Sequence, residues 1–218
     1  MTRKSSKLVP ALRFRCLTVL YDPLMKWAQE ETFKNRFIAQ EELLPDQRVL
    51  DVGCGTGTLA LMLKDTQPRA TVMGLDADPE VLKLAQKKAQ NSNIDISFHQ
   101  GLSSHLPFDA AVFDHVFSSL LFHHLTLEMK HKTLQEAFRV LAPGGSLHIL
   151  DFDKPQSFWM RLAFYPVQVL DGFETTRDHV TGIILEALQE EGFEGIRETN
   201  QFNTIVGTLH MYSADKPY

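Results

Sequence analysis

Only two cysteines, Cys16 and Cys54, occur in the 218 residues. So few thiols build no disulfide framework, and the expectation is a reducing, cytoplasmic setting. No apolar run approaches the roughly 20 residues that a membrane-spanning helix needs. No dense basic run is present and the formal net charge is -5. That argues against a nucleic-acid partner, because phosphate backbones select a basic face. An Asn-Pro-Pro-Tyr type motif for the amino group of a flipped base is also missing. His123 and His124 are adjacent, so they point different ways, and no third ligand stands nearby at metal-site spacing; no metal is expected. Internal repeats and low-complexity segments are absent.

Positive charge gathers once. Arg3, Lys4, Lys7, Arg13 and Arg15 all precede the first acid, Asp22. A transit peptide, or an arm in weak peripheral contact with a membrane, has this composition. A solvated N-terminal helix has it too, and is the plainer reading.

What is present is ordinary for a globular chain: 44% hydrophobic and 22% charged residues, at a length that suits one α/β domain over 1–218 better than two. Short apolar runs alternate with helical stretches, as in an α/β sheet. Residues 1–45 form a helical cap segment: the stretch from about Leu8 to Leu44 reads as helix, broken at Asp22-Pro23 and ended by Leu44-Pro45-Asp46. The core, 46–152, offers strands at Arg48–Val52, Thr71–Leu75, Ile94–His99, Ala111–Ser118 and Ser146–Asp151. Helices are expected at about Thr58–Lys64, after Asp78-Pro79-Glu80 with its acidic N-cap and early proline, and at Leu127–Leu141. Pro143-Gly144-Gly145 turns the chain into the fifth strand. Residues 153–175 are rich in aromatics, and 176–218 supply a helix from Thr176 to Glu191 and two strands within Gly195–Tyr212 that pair antiparallel.

The most specific stretch is Asp51-Val52-Gly53-Cys54-Gly55-Thr56-Gly57. A strand ends here and a helix begins, and in open parallel sheets ligands bind beyond the carboxyl ends of the strands. Glycines allow a tight turn and a close backbone approach to a ligand, and the helix N-terminus offers unpaired N–H groups. Against the dinucleotide fingerprint, the third glycine comes one residue early and position 58 is threonine, which weakens a nicotinamide-dependent oxidoreductase reading. Asp51 weakens it further: a carboxylate repels a pyrophosphate but attracts the ammonium of an amino-acid ligand. S-adenosylmethionine (SAM) has that ammonium and no phosphate. Asp76 ends the second strand, where an acid reads the ribose of an adenosine. It can instead cap the next helix, but Asp78, directly before Pro79, is the better cap. Cys54 sits near a helix N-terminus that can lower its pKa, yet reads as a small residue fitting a turn.

These motifs resemble those of the class I SAM-dependent methyltransferases, in particular the branch of ubiquinone and menaquinone biosynthesis methyltransferases, over about Arg48 to Asp151. Asp51 to Gly57 resembles the first motif, Gly74-Leu75-Asp76 the ribose-binding acid, Leu106-Pro107-Phe108 the Leu-Pro-Phe after the third strand, and Phe138-Arg139-Val140-Leu141-Ala142-Pro143-Gly144-Gly145 the Arg-Val-Leu-Lys-Pro-Gly-Gly signature. One departure stands out. Where the family often has Gly-Asp-Ala, with the acid reading the adenine amino group, this chain has Gly101-Leu102-Ser103-Ser104. Backbone groups near Leu102 and Ser103, or the Ser103 hydroxyl, would take the place of that acid.

The resemblance implies a Rossmann-like, seven-stranded, mostly parallel sheet with an antiparallel C-terminal hairpin and helices on both faces. It implies SAM as cofactor, left as S-adenosylhomocysteine. Asp51, Gly53, Cys54, Gly55 and Gly57 would hold its methionine end, Asp76 and Ala77 its ribose, and Gly101, Leu102 and Ser103 would flank its adenine. Ser118 would lie near the methyl group, and Tyr21 matches a tyrosine that some relatives place over SAM. Methyl transfer from a sulfonium is an in-line displacement that needs alignment and exclusion of water, and a base only if the nucleophile arrives protonated. His123 matches a histidine often seen after the fourth strand. Imidazole suits a base at neutral pH, but His123 can equally order the loop by hydrogen bonding; His124 reads as surface or packing. Phe158, Trp159, Phe164 and Tyr165 either cover a substrate pocket together with His123 or pack a helix on the core. The function expected is methyl transfer to a small, partly apolar acceptor; the rival is a noncatalytic SAM-binding protein of the same fold.

Overall fold

The computed structural model describes residues 30–152, 183–204 and 207–218. In chain order the elements are α1 (Glu30–Ile38), β1 (Arg48–Val52), α2 (Thr58–Thr66), β2 (Thr71–Asp76), α3 (Pro79–Asn91), β3 (Ser97–Gln100), β4 (Phe113–Ser119), a short 3-10 turn (Phe122–His124), α4 (Leu127–Val140), β5 (Leu141–Phe152), α5 (Ile183–Glu190), β6 (Glu194–Thr204) and β7 (Gly207–Asp215). The strands form one seven-stranded sheet in the order β3-β2-β1-β4-β5-β7-β6. β1 to β5 pair in parallel, and β7 is antiparallel to both β5 and β6. The expected Rossmann-like architecture is therefore present.

Alternation along the strands builds two cores. Leu50, Val52, Val116, Leu147, Ile149 and Tyr212 face α4 and α5, meeting Leu134, Ala137, Ile184 and Leu188. Val49, Val72, Phe117, Leu150, Leu209 and Met211 face α1 and α2, meeting Phe33, Phe37, Leu59 and Leu63. Helices thus cover both faces.

Several boundaries differ from the sequence reading for identifiable reasons. The helix expected to reach Leu44 ends at Ile38; just beyond it Gln40 donates to Met211 Sδ at 2.6 Å, on the same face of the sheet. The third strand starts at Ser97, not Ile94. Asn93 adopts a left-handed φ of 53° and the Ile94 N–H bonds Ala89 O at 3.0 Å, so these residues close α3 in a left-handed cap. Pro143-Gly144-Gly145 lies inside β5 as an irregularity: Leu141 pairs with Phe113 and Ser146 with His115. The C-terminal tail holds it there through Gly144 N–H to Lys216 O (2.9 Å) and Lys216 N–H to Gly145 O (2.8 Å).

On the α1/α2 face, the fully buried His148 stacks on Phe117 at 4.4 Å and meets His115 at 3.4 Å. Burial pushes the His148 pKa down from 6.5 to about 3, with His115 and Arg197 adding to the effect. A base with a depressed folded-state pKa stays neutral while the unfolded chain takes up a proton, so stability falls as pH drops through the window from 6.5 to about 3. His148→Phe keeps the stack and removes the titration. It should flatten the acid side of the stability curve by a few kcal/mol (roughly 2–4), measured by urea unfolding at pH 4 and pH 7.

Candidate functional site

The strand order reverses between β1 and β4, since β1 runs on to β2 and β3 on one side while β4 leads to β5 on the other. A crevice opens beyond the carboxyl ends at such a switch point. Two loops meet there, residues 53–57 after β1 and 120–124 after β4. Their contact is direct: a Cβ at Gly53 would stand 2.9 Å from Leu121 Cδ1. Leu120 is held at a left-handed φ of 58° by its N–H bond to Leu150 O at 2.8 Å, a strained state for a bulky residue and one that concentrates at functional sites.

The glycines of the first loop have different tasks. Gly57, at φ 76°, caps α2, and a Cβ there would meet Ala85 Cβ at 2.9 Å, so this glycine lets α2 pack on α3. Gly55, at φ 52°, has nothing within 4 Å of where its Cβ would be; it leaves room for a ligand rather than for protein. Beneath the loop, Asp51 is fully buried and neither carboxylate oxygen completes a hydrogen bond. Burial pushes its pKa up to about 7. Lys34 and the Ala60 N–H pull the other way, the latter without closing a hydrogen bond of good geometry.

Asp76 accepts the Gly55 N–H on Oδ2 and the Asp78 N–H on Oδ1, both at 2.9 Å. Burial raises its pKa. Each oxygen keeps a second lone pair, enough for two ribose hydroxyls. Asp78 caps α3 through Glu80 N–H at 2.8 Å, as expected. Gln100 donates to Ala77 O and Gly101 N–H to Asp76 O, which brings the loop after β3 to the same edge.

That loop carries Leu102, at 36% exposure, and Ser103, whose hydroxyl is engaged with Thr133 on α4 at 2.8 Å. Arg139 secures the loop's far end. It donates to Leu106 O (3.0 Å) and Phe108 O (2.8 Å) and forks onto Glu136, whose Oε2 in turn accepts the Leu106 N–H at 2.6 Å. The two distant motifs, Leu-Pro-Phe and Arg-Val-Leu, are one clamp. Arg139→Ala should lower stability by about 2 kcal/mol and weaken S-adenosylhomocysteine binding several-fold, and Arg139→Lys should not restore the fork; thermal unfolding and calorimetry check both.

Cys54 is no activated thiol, in keeping with its reading as a small turn residue: burial, then Asp51 and Asp76, hold its pKa far above the usual thiol range. The Ser118 hydroxyl, buried, donates to Val52 O at 3.1 Å and ties β4 to β1. His123, by contrast, has a partner that the sequence did not point out. Its Nδ1 lies 2.7 Å from Asp151 Oδ1, with His123 5% exposed and Asp151 fully buried. Asp151 also accepts the N–H groups of Phe122 (2.6 Å) and Phe152 (2.7 Å). The His124 ring lies against that of His123, centroids 4.0 Å apart and planes tilted by 45°. Tyr21, Phe158, Trp159, Phe164 and Tyr165 lie outside the described residues.

Comparison with known proteins gives the family. Residues 49–145 match a family model described as a methyltransferase domain. An uncharacterized methyltransferase of Synechocystis is 32% identical over 171 residues, covering 78% of this chain and 77% of that protein. The chain belongs to the class I SAM-dependent methyltransferases. A demethylmenaquinone methyltransferase of Thermus thermophilus is 40% identical over 109 residues, 50% of this chain and 49% of that protein. The chain thus spans about half the length of the quinone-branch relatives it matches. The solved structure of the SAM-dependent methyltransferase SibL superposes with a TM-score of 0.73 at 21% identity, over 96% of this chain and 60% of that one, which speaks for the fold. The residues here fit the cofactor of this family: an orphaned buried carboxylate for the ammonium, an open glycine position beside it, and a carboxylate with spare lone pairs for the ribose. Among the described residues no helix is long and apolar enough to cross a membrane.

Proposed function

We propose that this protein, working in the cytoplasm, methylates a small, partly apolar aromatic acceptor with an ionisable hydroxyl, of which a reduced quinone is the type. The observation that carries the reading is the His123–Asp151 contact on the loop that packs against the glycine turn. The name of the Thermus relative supports the acceptor class.

When bound, SAM supplies a methyl group already activated on a sulfonium. Asp51 would hold its ammonium and Asp76 its ribose hydroxyls. Asp151, as carboxylate, accepts a hydrogen bond from the Nδ1–H of neutral His123, so the imidazole lone pair is on Nε2. There His123 would accept the proton of the acceptor hydroxyl, giving a phenolate whose ring carbon or oxygen is a stronger nucleophile.

The test is incubation of the protein with SAM and 1,4-dihydroxynaphthalene kept reduced, with product analysis by mass spectrometry. A methylated product formed in proportion to enzyme is expected. Tight S-adenosylhomocysteine binding with no product from this or related hydroquinones would sink the acceptor reading and favour a noncatalytic SAM-binding protein.

A further inference from the structure

A second carboxylate–imidazole pair stands beside the first. His210 on β7 is the register partner of Asp151 on β5, so both side chains rise on the face that carries α4 and α5, from strands roughly 4.8 Å apart. Thr208, His210 and Tyr212 alternate along β7 on that face, and the His210 and Tyr212 rings lie parallel, 6.1 Å apart at 10°. Glu198 of β6 contacts His210 Nδ1 at 2.8 Å, holding that edge of the ring from the side away from β5. His210 is 6% exposed, and its other nitrogen, Nε2, is buried without a hydrogen-bond partner.

A buried nitrogen left unpaired opposes folding by on the order of 1–3 kcal/mol, so each case asks for a reason. His99, His115 and His148 also hold an unpaired nitrogen, but they sit elsewhere. His99 packs edge-on to Phe108 from β3, and His115 and His148 lie on the opposite face around Phe117. Among these, His210 alone is paired in register with the carboxylate that orients His123, with a carboxylate of its own fixing the proton on Nδ1.

We propose that His210 reads the acceptor: its Nε2 accepts a hydrogen bond from a second hydroxyl, one ring away from the hydroxyl that His123 takes. The site would then select dihydroxylated aromatic rings, hydroquinones, over monohydroxylated ones. This rests on the acceptor reading given above.

The experiment uses the full chain labelled with 15N-histidine and saturated with S-adenosylhomocysteine. Imidazole nitrogen spectra are recorded with 1,4-dihydroxynaphthalene and with 1-naphthol. His210 is expected as the Nδ1–H tautomer, its Nε2 resonance shifting with the diol and not with naphthol, while His123 responds to both. His210→Phe and Glu198→Gln should raise KM for the diol about tenfold, the loss of one hydrogen bond. They should leave KM for naphthol and S-adenosylhomocysteine affinity within about twofold. A proton on His210 Nε2, or a diol that shifts His123 alone, overturns the proposal while the acceptor reading stands. Silence of both histidines toward both compounds removes the acceptor reading, and this proposal with it.

Discussion

Asp51→Asn should make the protein more stable and strip it of its cofactor. In the folded chain the Asp51 pKa is raised from 3.8 to about 7, chiefly by burial. An acid with a raised folded-state pKa keeps its proton where the unfolded chain has released it, so stability falls as pH rises between those two values. Above pH 7 the whole penalty stands, because a bare carboxylate is buried with neither oxygen hydrogen-bonded. Asparagine has the shape without the charge. At pH 8 the variant should gain about 2–4 kcal/mol in urea unfolding, and little at pH 4. The same carboxylate is what an ammonium needs, so S-adenosylhomocysteine affinity should fall about 100-fold, near 3 kcal/mol. Wild-type affinity should also weaken as pH drops through 7, and the variant should lose that dependence. A variant that is no more stable at pH 8, or that still binds tightly, would show that Asp51 serves the turn and not the ligand.

What could be read from the sequence is what is local. The glycine loop, Asp76 and the Asp78-Pro79 cap each rest on neighbours within a few positions, and the structure places them together at the carboxyl edge. The succession of strands and helices along the chain followed from alternating helical and extended patterns. What stayed hidden depends on contacts between distant residues. Asp151 read only as the end of a strand, yet it orders a loop 28 and 29 positions earlier. Arg139 read as part of a motif, and its reach to Leu106 and Phe108 spans more than 30 positions. The Ser103 and Ser118 hydroxyls meet Thr133 and Val52, 30 and 66 positions away, partners that nothing local points to. Leu120 could not have been expected in a left-handed conformation, since local preference opposes it and its N–H bond to Leu150 and its packing on the core involve distant residues.

The two roles that the sequence leaves open for His123 separate in a pair of substitutions. His123→Asn retains a side-chain N–H that can still be donated to Asp151, but has no basic nitrogen. If His123 only orders the loop, this variant should methylate near the wild-type rate, with Tm little changed. If Nε2 takes the acceptor's proton, kcat should fall by about 10²–10⁴-fold while S-adenosylhomocysteine binds as before, and the acid limb of the kcat–pH profile should vanish. Asp151→Asn attacks the same proton from behind. An amide can donate to Nδ1, which moves the imidazole proton onto Nε2 and removes the base without removing the histidine. Its single carbonyl oxygen also cannot serve His123, Phe122 and Phe152 as the carboxylate does, so stability should drop by about 1–3 kcal/mol. The base reading therefore requires the kcat loss in both variants and the stability loss in Asp151→Asn alone. A kcat that follows stability across the pair would leave His123 a loop-ordering residue and the acceptor proton to solvent.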